Sequence, residues 1–336
     1  MSDELRTILL EQVDRLLADT VSPALLRGLE QGIWPGALWA EMEGLGLTLA
    51  LVPDAMGGAG LGWDDAAALW QVLGRHAAPV PLAESMAAAG ILAAAGITPP
   101  VGLLGLVVPG EAGLPWGRRA GHLVAAGGDS VTLHQPAAAQ EGRGAVSRLP
   151  FDRSTPGPQV AAAPMPATLG PDAALLAGAL IHAAQMAGAL EAVLDMSVDY
   201  ATTRKQFGRT IGGFQAVQQL LAQAAGEVAA AGVAAAQAGR SAARRGLAGA
   251  EFEIASAKVV CGEAAGRVAA IAHQVHAAMG FTDEHALHLH TRRLWTWRDA
   301  CGAERAWARR IGTAALARGG AMLWPDLTAR DEGAAA

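Results

Sequence analysis

Apolar residues recur at three- and four-residue steps in the second half of the chain. One such run occupies Leu176, Leu180, Ala183, Ala187, Leu190 and Leu194. This is the spacing of one face of a helix. The spacing resumes after Gln215, at Val217, Leu220, Leu221 and Ala224. Between the two runs the pattern is broken by glycine, which favours turns, at Gly208, Gly212 and Gly213. The pattern therefore predicts two helices joined by a short turn.

Helical spacing also dominates residues 1 to about 97. An amphipathic first helix is predicted from the apolar positions Leu5, Leu9, Val13, Leu16 and Leu17. A second apolar segment, from Trp39, is closed by Gly44 and Gly46. The Pro53 to Gly58 loop that follows is not succeeded by a Gly-Lys-Ser/Thr motif, so we do not interpret it as a phosphate cradle.

Residues from about 101 to 163 show a different pattern of apolar and polar positions. Short apolar or alternating runs occur at Leu103 to Val108, His122 to Ala126 and Ser130 to His134. This predicts a small antiparallel sheet, with Gly127-Gly128-Asp129 as a hairpin turn. The proline-rich stretch from Pro150 to Pro166 is predicted to be a linker or an extended edge.

The predicted fold class is mainly α with a small β domain. We expect a helical N-terminal domain over residues 1–98 and a short antiparallel β middle domain with its proline-rich linker over 99–167. A helical C-terminal domain is expected over 168–330, beginning after Gly170-Pro171-Asp172, where proline and an acid suit a first helical turn.

Composition narrows the class of protein. Apolar residues make up 52% of the 336 residues and aromatic residues 4%, so Ala, Leu, Val and Gly must form most of the core. The net charge of −6 argues against a nucleic-acid partner. The N-terminus does not resemble a signal peptide, and the Ala-rich runs are too poor in Leu and Ile for a membrane span. A cytoplasmic protein is therefore expected.

The metal-ligating residue types do not form a convincing ligand set. The two cysteines, Cys261 and Cys301, show neither disulfide nor metal spacing. Histidines crowd together at His273, His276, His285, His288 and His290. No Cys or carboxylate completes a set at helical spacing, so we expect no metal and histidines that cap a helix or line an interface.

The turn between the two predicted helices concentrates charge, at Arg204, Lys205, Gln206, Phe207 and Arg209. Cations at the end of a helix complement its dipole, which is one interpretation. The other is a diphosphate clamp, because an Arg fork matches phosphate oxygens and Phe207 offers a flat face to a planar group. The spacing alone leaves both open.

Two motifs in this region resemble a known family. Arg204-Lys205-Gln206-Phe207-Gly208, followed by Phe214-Gln215, resembles the Arg-x-x-Phe-Gly and Phe-Gln signature of acyl-CoA dehydrogenases. The stretch from Gln274 to Glu284 is similar to the family's second signature, Gln-x-x-Gly-Gly-x-Gly-Phe with an acid shortly after. The resemblance covers nearly the whole chain. It implies a C-terminal four-helix bundle, an FAD cofactor, acyl-CoA oxidation and an oligomer.

The resemblance also implies which residues would contact FAD across a subunit interface. The candidate residues are Arg204, Gln206, Phe207, Gln215, Gln274, Val275, His276, Ala277 and Ala278. By resemblance, Arg204 would fork a phosphate, Phe207 would pack near the cofactor, and Gln215 and Gln274 would donate or accept hydrogen bonds. The backbone from Val275 to Ala278 would approach the pyrophosphate, with alanines where the family has glycines.

The chain departs from the family where the flavin ring and the catalytic base are held. The Thr-Glu-Pro, Gly-Ser-Asp and Trp-Ile-Thr stretches of the family's middle domain are absent. Removal of an α-proton requires a carboxylate, and the two places where relatives carry it correspond to Cys301-Gly302 and to Gly178-Ala179. The nearby acids Asp299 and Glu304 are expected on a solvated face or in salt bridges.

Three functions follow from this resemblance and its departures. The first is an acyl-CoA dehydrogenase-like flavoprotein that desaturates an acyl-CoA thioester at its own site. The second is a catalytically silent partner subunit that completes the FAD site of a related chain. The third is a helical scaffold without flavin.

Overall fold

A computed structural model describes residues 3–330, and its first part is helical. The helices there are α1 (Asp3–Thr20), α2 (Pro23–Glu30), α3 (Gly36–Gly44), α4 (Trp63–Arg75) and α5 (Leu82–Ala94). Ser22 caps α2, because its hydroxyl oxygen accepts a hydrogen bond from the Leu25 amide at 3.1 Å. Trp70 on α4 and Met86 on α5 are fully buried, so these helices form part of the main core.

A five-stranded sheet follows. Its strands are β1 (Leu104–Val107), β2 (Leu114–Pro115), β3 (His122–Gly127), β4 (Ser130–Gln140) and β5 (Phe151–Pro164), in the spatial order β1-β3-β4-β5-β2. The predicted hairpin turn joins β3 to β4, and Gly128 adopts the positive φ of 58° that the turn requires. The predicted fold class, mainly α with a small β region, is confirmed.

One detail of the sheet differs from the expectation, and another agrees with the extended edge that was one of its two alternatives. The sheet is mixed, because β1 pairs with β3 in parallel; the chain leaves β1 and passes through β2 before it returns as β3. The proline-rich segment is a full strand as far as Pro164. It pairs with β4 through three register shifts, and β2 covers only its start, at Phe151 and Asp152. Its prolines are tolerated because the rest of β5 is an edge.

Long helices form the remainder. They are α6 (Ala173–Thr203), α7 (Gln215–Gly249), α8 (Glu251–His276), α9 (Leu287–Asp299), α10 (Glu304–Arg318) and α11 (Leu323–Thr328). A two-stranded hairpin, β6 (Lys205–Gln206) with β7 (Arg209–Thr210), lies between α6 and α7. Helices α6, α7 and α8 pack against one another, and α9 and α10 pack onto this group.

Small residues let helices approach closely. A Cβ atom placed on Gly188 of α6 would lie 1.8 Å from the carbonyl oxygen of Gln71 on α4. One placed on Gly74 would lie 2.0 Å from that of Gln185. Backbone therefore meets backbone where α4 crosses α6, and glycine is required at both positions.

Helix α6 is apolar on every side. Within residues 3–330 it is the helix long and apolar enough to cross a membrane by length and composition, which the sequence analysis had not expected. However, 89% of its apolar window is buried inside the protein. A helix surrounded by α4, α7, α8 and the sheet needs apolar residues all round, so its composition is explained by the core.

Candidate functional site

The two motifs that carry the resemblance lie side by side. Tyr200, Arg204, Gln206 and Ile211 line one wall of a pocket of about 180 Å³, and residues 275–279 line the other. We call this the turn pocket. It forms where the end of α6 and the β6–β7 hairpin meet the end of α8.

A small apolar cluster supports the turn pocket. Ala201, Ile211 and Val275 are buried there, apart from the main core, and Tyr200 packs against them. The backbone ties the hairpin to α6: the Arg204 amide donates to the Tyr200 carbonyl, and the Ile211 amide donates to the Arg204 carbonyl, both at 2.9 Å. The two motifs are thus held by local contacts.

The cations of the turn have different surroundings. The guanidinium of Arg209 lies over the Phe214 ring, 4.0 Å from its centroid. Arg204 is exposed, and within residues 3–330 its guanidinium has no hydrogen bond or ion pair. An unpaired planar cation at a pocket mouth is available to a phosphate or carboxylate.

The backbone of the second motif keeps a turn that normally requires glycine. Ala277 ends α8 with φ 49° and ψ −135°, a conformation that costs a non-glycine residue about 1–3 kcal/mol. Phe207 is also at positive φ, 52°, at the hairpin tip. Such strain persists only where the surrounding structure enforces it.

The remaining candidate residues lie around the turn pocket. Gln215, the first residue of α7, and Gln274, near the end of α8, are exposed and do not line it. Phe207 is 92% exposed. The structure therefore brings Arg204 and Gln206 to the backbone at 275–278 and leaves these three side chains facing outward beside it.

The two places where relatives carry a base converge inside the protein. A Cβ atom placed on Gly178 of α6 would lie 2.5 Å from the Cys301 sulfur. Both residues line an interior pocket of about 100 Å³ between α5, α6, the sheet and the loop after α9. Burial raises the pKa of the Cys301 thiol to about 12, so the group at this point is neutral near pH 7.

A buried lysine holds the segment before Cys301 in place through hydrogen bonds. The ammonium of Lys258 on α8 donates to the carbonyls of Trp297, Arg298 and Ala300 at 2.7, 3.1 and 2.8 Å. Its three N–H groups are therefore all used. Lys258 is 1% exposed, and burial lowers its pKa to about 8.

Four ionisable residues of the interior pocket were not identified from the sequence, and one of them is the buried Arg293 on α9. Glu84 on α5, Glu111 after β1 and His182 on α6 all line it. Glu111 accepts a hydrogen bond from the Cys301 amide at 2.7 Å. Burial raises the pKa of Glu84 to about 7 and lowers that of His182 to about 3. The one available signal was that Glu84 is the single ionisable residue of α5.

The acids that the sequence singled out lie elsewhere. Asp299 is exposed at the end of α9, and Glu304 forms an ion pair with Arg298. Neither lines the interior pocket. Their positions match the expected solvated face and salt bridge.

A wider cavity, of about 680 Å³, opens on the outer side of the Cys301 loop. Its walls come from α6, α8, α10 and the loop after β1, and no strand residue lines it in the described part of the chain. Arg310 spans part of it, with ion pairs to Glu251 and Asp172. The cavity is a groove with both charged and apolar lining residues, and it shares only Glu111 and Cys301 with the interior pocket.

The histidines pack against aromatic rings. His273 stacks on Phe281 with centroids 4.5 Å apart, and His276 stacks on Tyr200 at the same separation. Across residues 3–330, no group of three or more His, Cys, Asp or Glu side chains is placed to hold a metal ion.

Replacing Glu84 should change stability in a pH-dependent way. Its folded pKa of about 7 lies above the ordinary value of 4.5 for a glutamate carboxyl. The unfolded chain thus loses this proton first, and folding stability falls as pH rises from about 4.5 to 7. Glu84→Gln should remove that loss and stabilise the protein by up to about 3 kcal/mol more at pH 8 than at pH 4.5.

Urea unfolding of both proteins at pH 5 and pH 8 measures this difference. The exposed Glu11→Gln is the matched control and should behave alike at the two pH values. Equal effects of Glu84→Gln at both pH values would refute the raised pKa.

Known proteins resemble this chain over nearly its whole length. The family models for the N-terminal and C-terminal domains of acyl-CoA dehydrogenase match residues 3–98 and 172–315. The acyl-CoA dehydrogenase IpdE2 of Mycobacterium tuberculosis is 31% identical over 310 residues, which cover 86% of this chain and 91% of that protein.

Solved structures share the fold. The ChsE4-ChsE5 complex from Mycobacterium tuberculosis contains a chain that superposes with a TM-score of 0.81 at 24% identity, covering 94% of this chain and 98% of that one. The Tcur3481-Tcur3483 steroid ACAD G363A variant gives 0.80 at 26% identity, with coverages of 95% and 99%.

Proposed function

The chain belongs to the acyl-CoA dehydrogenase family, and on that premise we propose that it is a partner subunit that completes the FAD site of a related dehydrogenase chain. In this role it contributes to acyl-CoA oxidation without a base of its own. One observation carries the proposal: the turn pocket is open and cationic, whereas the interior at the base position is small and holds a neutral thiol.

The residues of the turn pocket fit a diphosphate that arrives from outside. Arg204 offers an unpaired fork, and Lys205 is exposed beside it. The strained turn at Ala277 exposes backbone next to the same opening. In the proposed complex Arg204 binds a phosphate of FAD and the turn at 275–278 packs against it. FAD, when bound, supplies the acceptor for the electrons of the substrate.

The interior does not fit a flavin ring with a thioester. Pockets for ligands of that size measure about 300–1,000 Å³, and the interior pocket measures about 100 Å³. The wider cavity outside the Cys301 loop has no wall from the sheet, and by family resemblance the sheet domain holds the flavin ring. No reaction step is therefore assigned to this chain's own interior.

The occurrence of two-chain assemblies among its relatives supports this role. The ChsE4-ChsE5 structure is a complex of two named chains, and Tcur3481-Tcur3483 likewise carries two names. We propose that this chain assembles in the same manner with an acyl-CoA dehydrogenase-like partner.

A second function is favoured by Glu84. A carboxyl whose pKa is near 7 and which lines a pocket has the property expected of a general base. In that case the chain would be a complete flavoenzyme that oxidises an acyl-CoA at its own site.

Visible absorption separates these functions. The chain is purified alone and after co-expression with a related dehydrogenase chain. Flavin found only in the mixed complex supports the partner subunit. Flavin bound by the chain alone, and bleached by an acyl-CoA, would establish the complete enzyme instead. An assembled complex that carries no flavin would leave the helical scaffold as the function.

Arg204→Lys should weaken FAD retention in the mixed complex. Lysine offers a point charge in place of a planar fork, and the loss of a charge-assisted hydrogen bond costs about 1–3 kcal/mol. Flavin content and its dissociation constant measure the effect. Arg209→Lys is the matched control, because the Arg209 guanidinium lies over Phe214. Equal retention in the two variants, with the oligomer intact, would remove Arg204 from the site.

A further inference from the structure

An aromatic stack joins the two walls of the turn pocket. The Tyr200 and His276 rings lie nearly parallel, at 25°, with centroids 4.5 Å apart. His285 completes the group, with its centroid 4.6 Å from that of His276. His276 is fully buried, so this contact belongs to the interior of the site.

The two stacked residues lie next to the elements that form the two walls of the pocket. Tyr200 lies one helical turn before Arg204 and accepts a hydrogen bond from its amide. His276 directly precedes the strained Ala277. Moving the two rings apart would therefore separate Arg204 from the 277–278 backbone, which are the two elements that the proposed function assigns to one diphosphate.

We propose that the Tyr200–His276 stack is the positioning device of the turn pocket, and that a neutral His276 imidazole is required for it. This rests on the proposed function for the ligand, but the stack itself exists in the chain alone. Tyr200 and His276 are positioning residues, since they act through Arg204 and the turn at Ala277.

The hydrogen bonds of His276 explain the requirement for a neutral ring. Its Nδ1 lies 2.8 Å from the Ala272 carbonyl, so Nδ1–H donates and Nε2 is left with its lone pair. Nε2 is buried and has no hydrogen-bond partner. A second proton would place a cation inside the stack. The Met196 carbonyl favours that proton, but burial opposes it more strongly because the site has no anionic partner.

The ionisable groups around His276 do not supply that partner. His273 faces it from α8 and His285 from the turn before α9, and both oppose a second positive charge. His288 on α9 acts on these two neighbours in the same direction. Asp283, 3.7 Å from His288, is 94% exposed.

Acid should therefore loosen the stack. Burial lowers the pKa of His276, although the carbonyls of Ala272 and Met196 act in the opposite direction. With a lowered pKa, the open state binds more protons below about pH 6.5 than the closed state does. The closed stack is fully favoured above that pH and weakens as pH falls below it.

The sequence permits a direct test on the chain alone. Tyr200 is its single tyrosine, so protein labelled with 3-fluorotyrosine gives one ¹⁹F resonance from the folded state. We expect this resonance to move towards the unfolded position as the pH falls from 8 to 5. His276→Phe keeps a ring for stacking and removes the titration of His276. Its resonance should move much less, with only the effect of His285, whose ring centroid lies 6.0 Å from that of Tyr200. A wild-type resonance that does not move, or an equal transition in His276→Phe, overturns the proposal.

The second measurement uses the mixed complex. Tyr200→Leu should raise the dissociation constant for FAD about two- to twelvefold, because stacking is worth about 0.5–1.5 kcal/mol. The matched Tyr200→Phe should leave it unchanged. Equal constants in these two variants also overturn the proposal. If no mixed complex binds FAD, the proposed function fails, and the ¹⁹F titration still decides whether the stack exists and responds to acid.

Discussion

The chain purified alone will not desaturate an acyl-CoA at a measurable rate, even with excess FAD. A general base contributes about 10²- to 10⁴-fold to such a reaction. The two places where the family carries one meet at the Cys301 thiol, whose pKa burial raises to about 12. Stopped-flow absorption of FAD with an acyl-CoA, under anaerobic conditions, measures the rate.

The decisive variants are made in the mixed complex. Glu84→Gln and Glu111→Gln remove the carboxyls that line the interior pocket, and each should leave activity within a few-fold. Asp299→Asn, an exposed acid near the same loop, is the matched control. A fall of about 10³-fold for Glu84→Gln, with flavin content and fold intact, would make Glu84 a base and this chain an enzyme.

Restoring a carboxylate should not restore the reaction. Cys301→Glu places an acid at the family position, but the thiol already lies 2.5 Å from where a Cβ on Gly178 would be. The interior pocket has no room for the longer side chain together with a thioester. The wider cavity that Cys301 also lines has no wall from the sheet. Substrate turnover by the isolated Cys301→Glu chain would show that the interior can open to admit a thioester.

Lys258→Met should be the most destabilising single change considered. It removes the donor for three carbonyls at the end of α9 and beyond, from a site that is 1% exposed. Hydrogen bonds to a charged group are worth about 1.5–3 kcal/mol each, and buried acceptors left without a donor add to the cost. We expect a loss of at least about 3 kcal/mol in the free energy of unfolding, measured by urea titration.

The chain contains its own control for this change. The other lysine in the sequence is Lys205, which is exposed on the β6–β7 hairpin. Lys205→Met makes the same substitution without burial, so its free energy of unfolding should stay near the wild-type value. Similar losses in the two variants would mean that the three carbonyls do not depend on Lys258.

The helices and the turn pocket were within reach of the sequence because local patterns specify them. The apolar steps from Leu176 to Leu194 and the glycines at 208 and 212–213 describe α6 and its end without reference to the rest of the chain. The first wall of the turn pocket is also specified locally, since a backbone hydrogen bond within the turn joins Ile211 to Arg204. Its second wall, at 275–278, was located by family resemblance.

The interior pocket was not within reach, because distant segments create it. Glu84, Glu111 and His182 come from α5, the loop after β1 and α6, and no periodicity connects these three segments. The parallel pairing of β1 with β3 was missed for the same reason, since alternation along a strand does not fix its direction relative to a neighbour. Contacts between distant segments decided both features.

The contrast between the two lysines has a chemical consequence. Acylating reagents for primary amines require an accessible nitrogen with a free lone pair. The Lys258 nitrogen is buried, and its three N–H groups are engaged with carbonyls. Apart from the chain's α-amino group, side-chain amine chemistry on the folded protein is therefore confined to Lys205. A fluorophore attached there would lie beside Arg204. The extent of any later acylation of Lys258 would measure the fraction of molecules whose α8–α9 contact has opened.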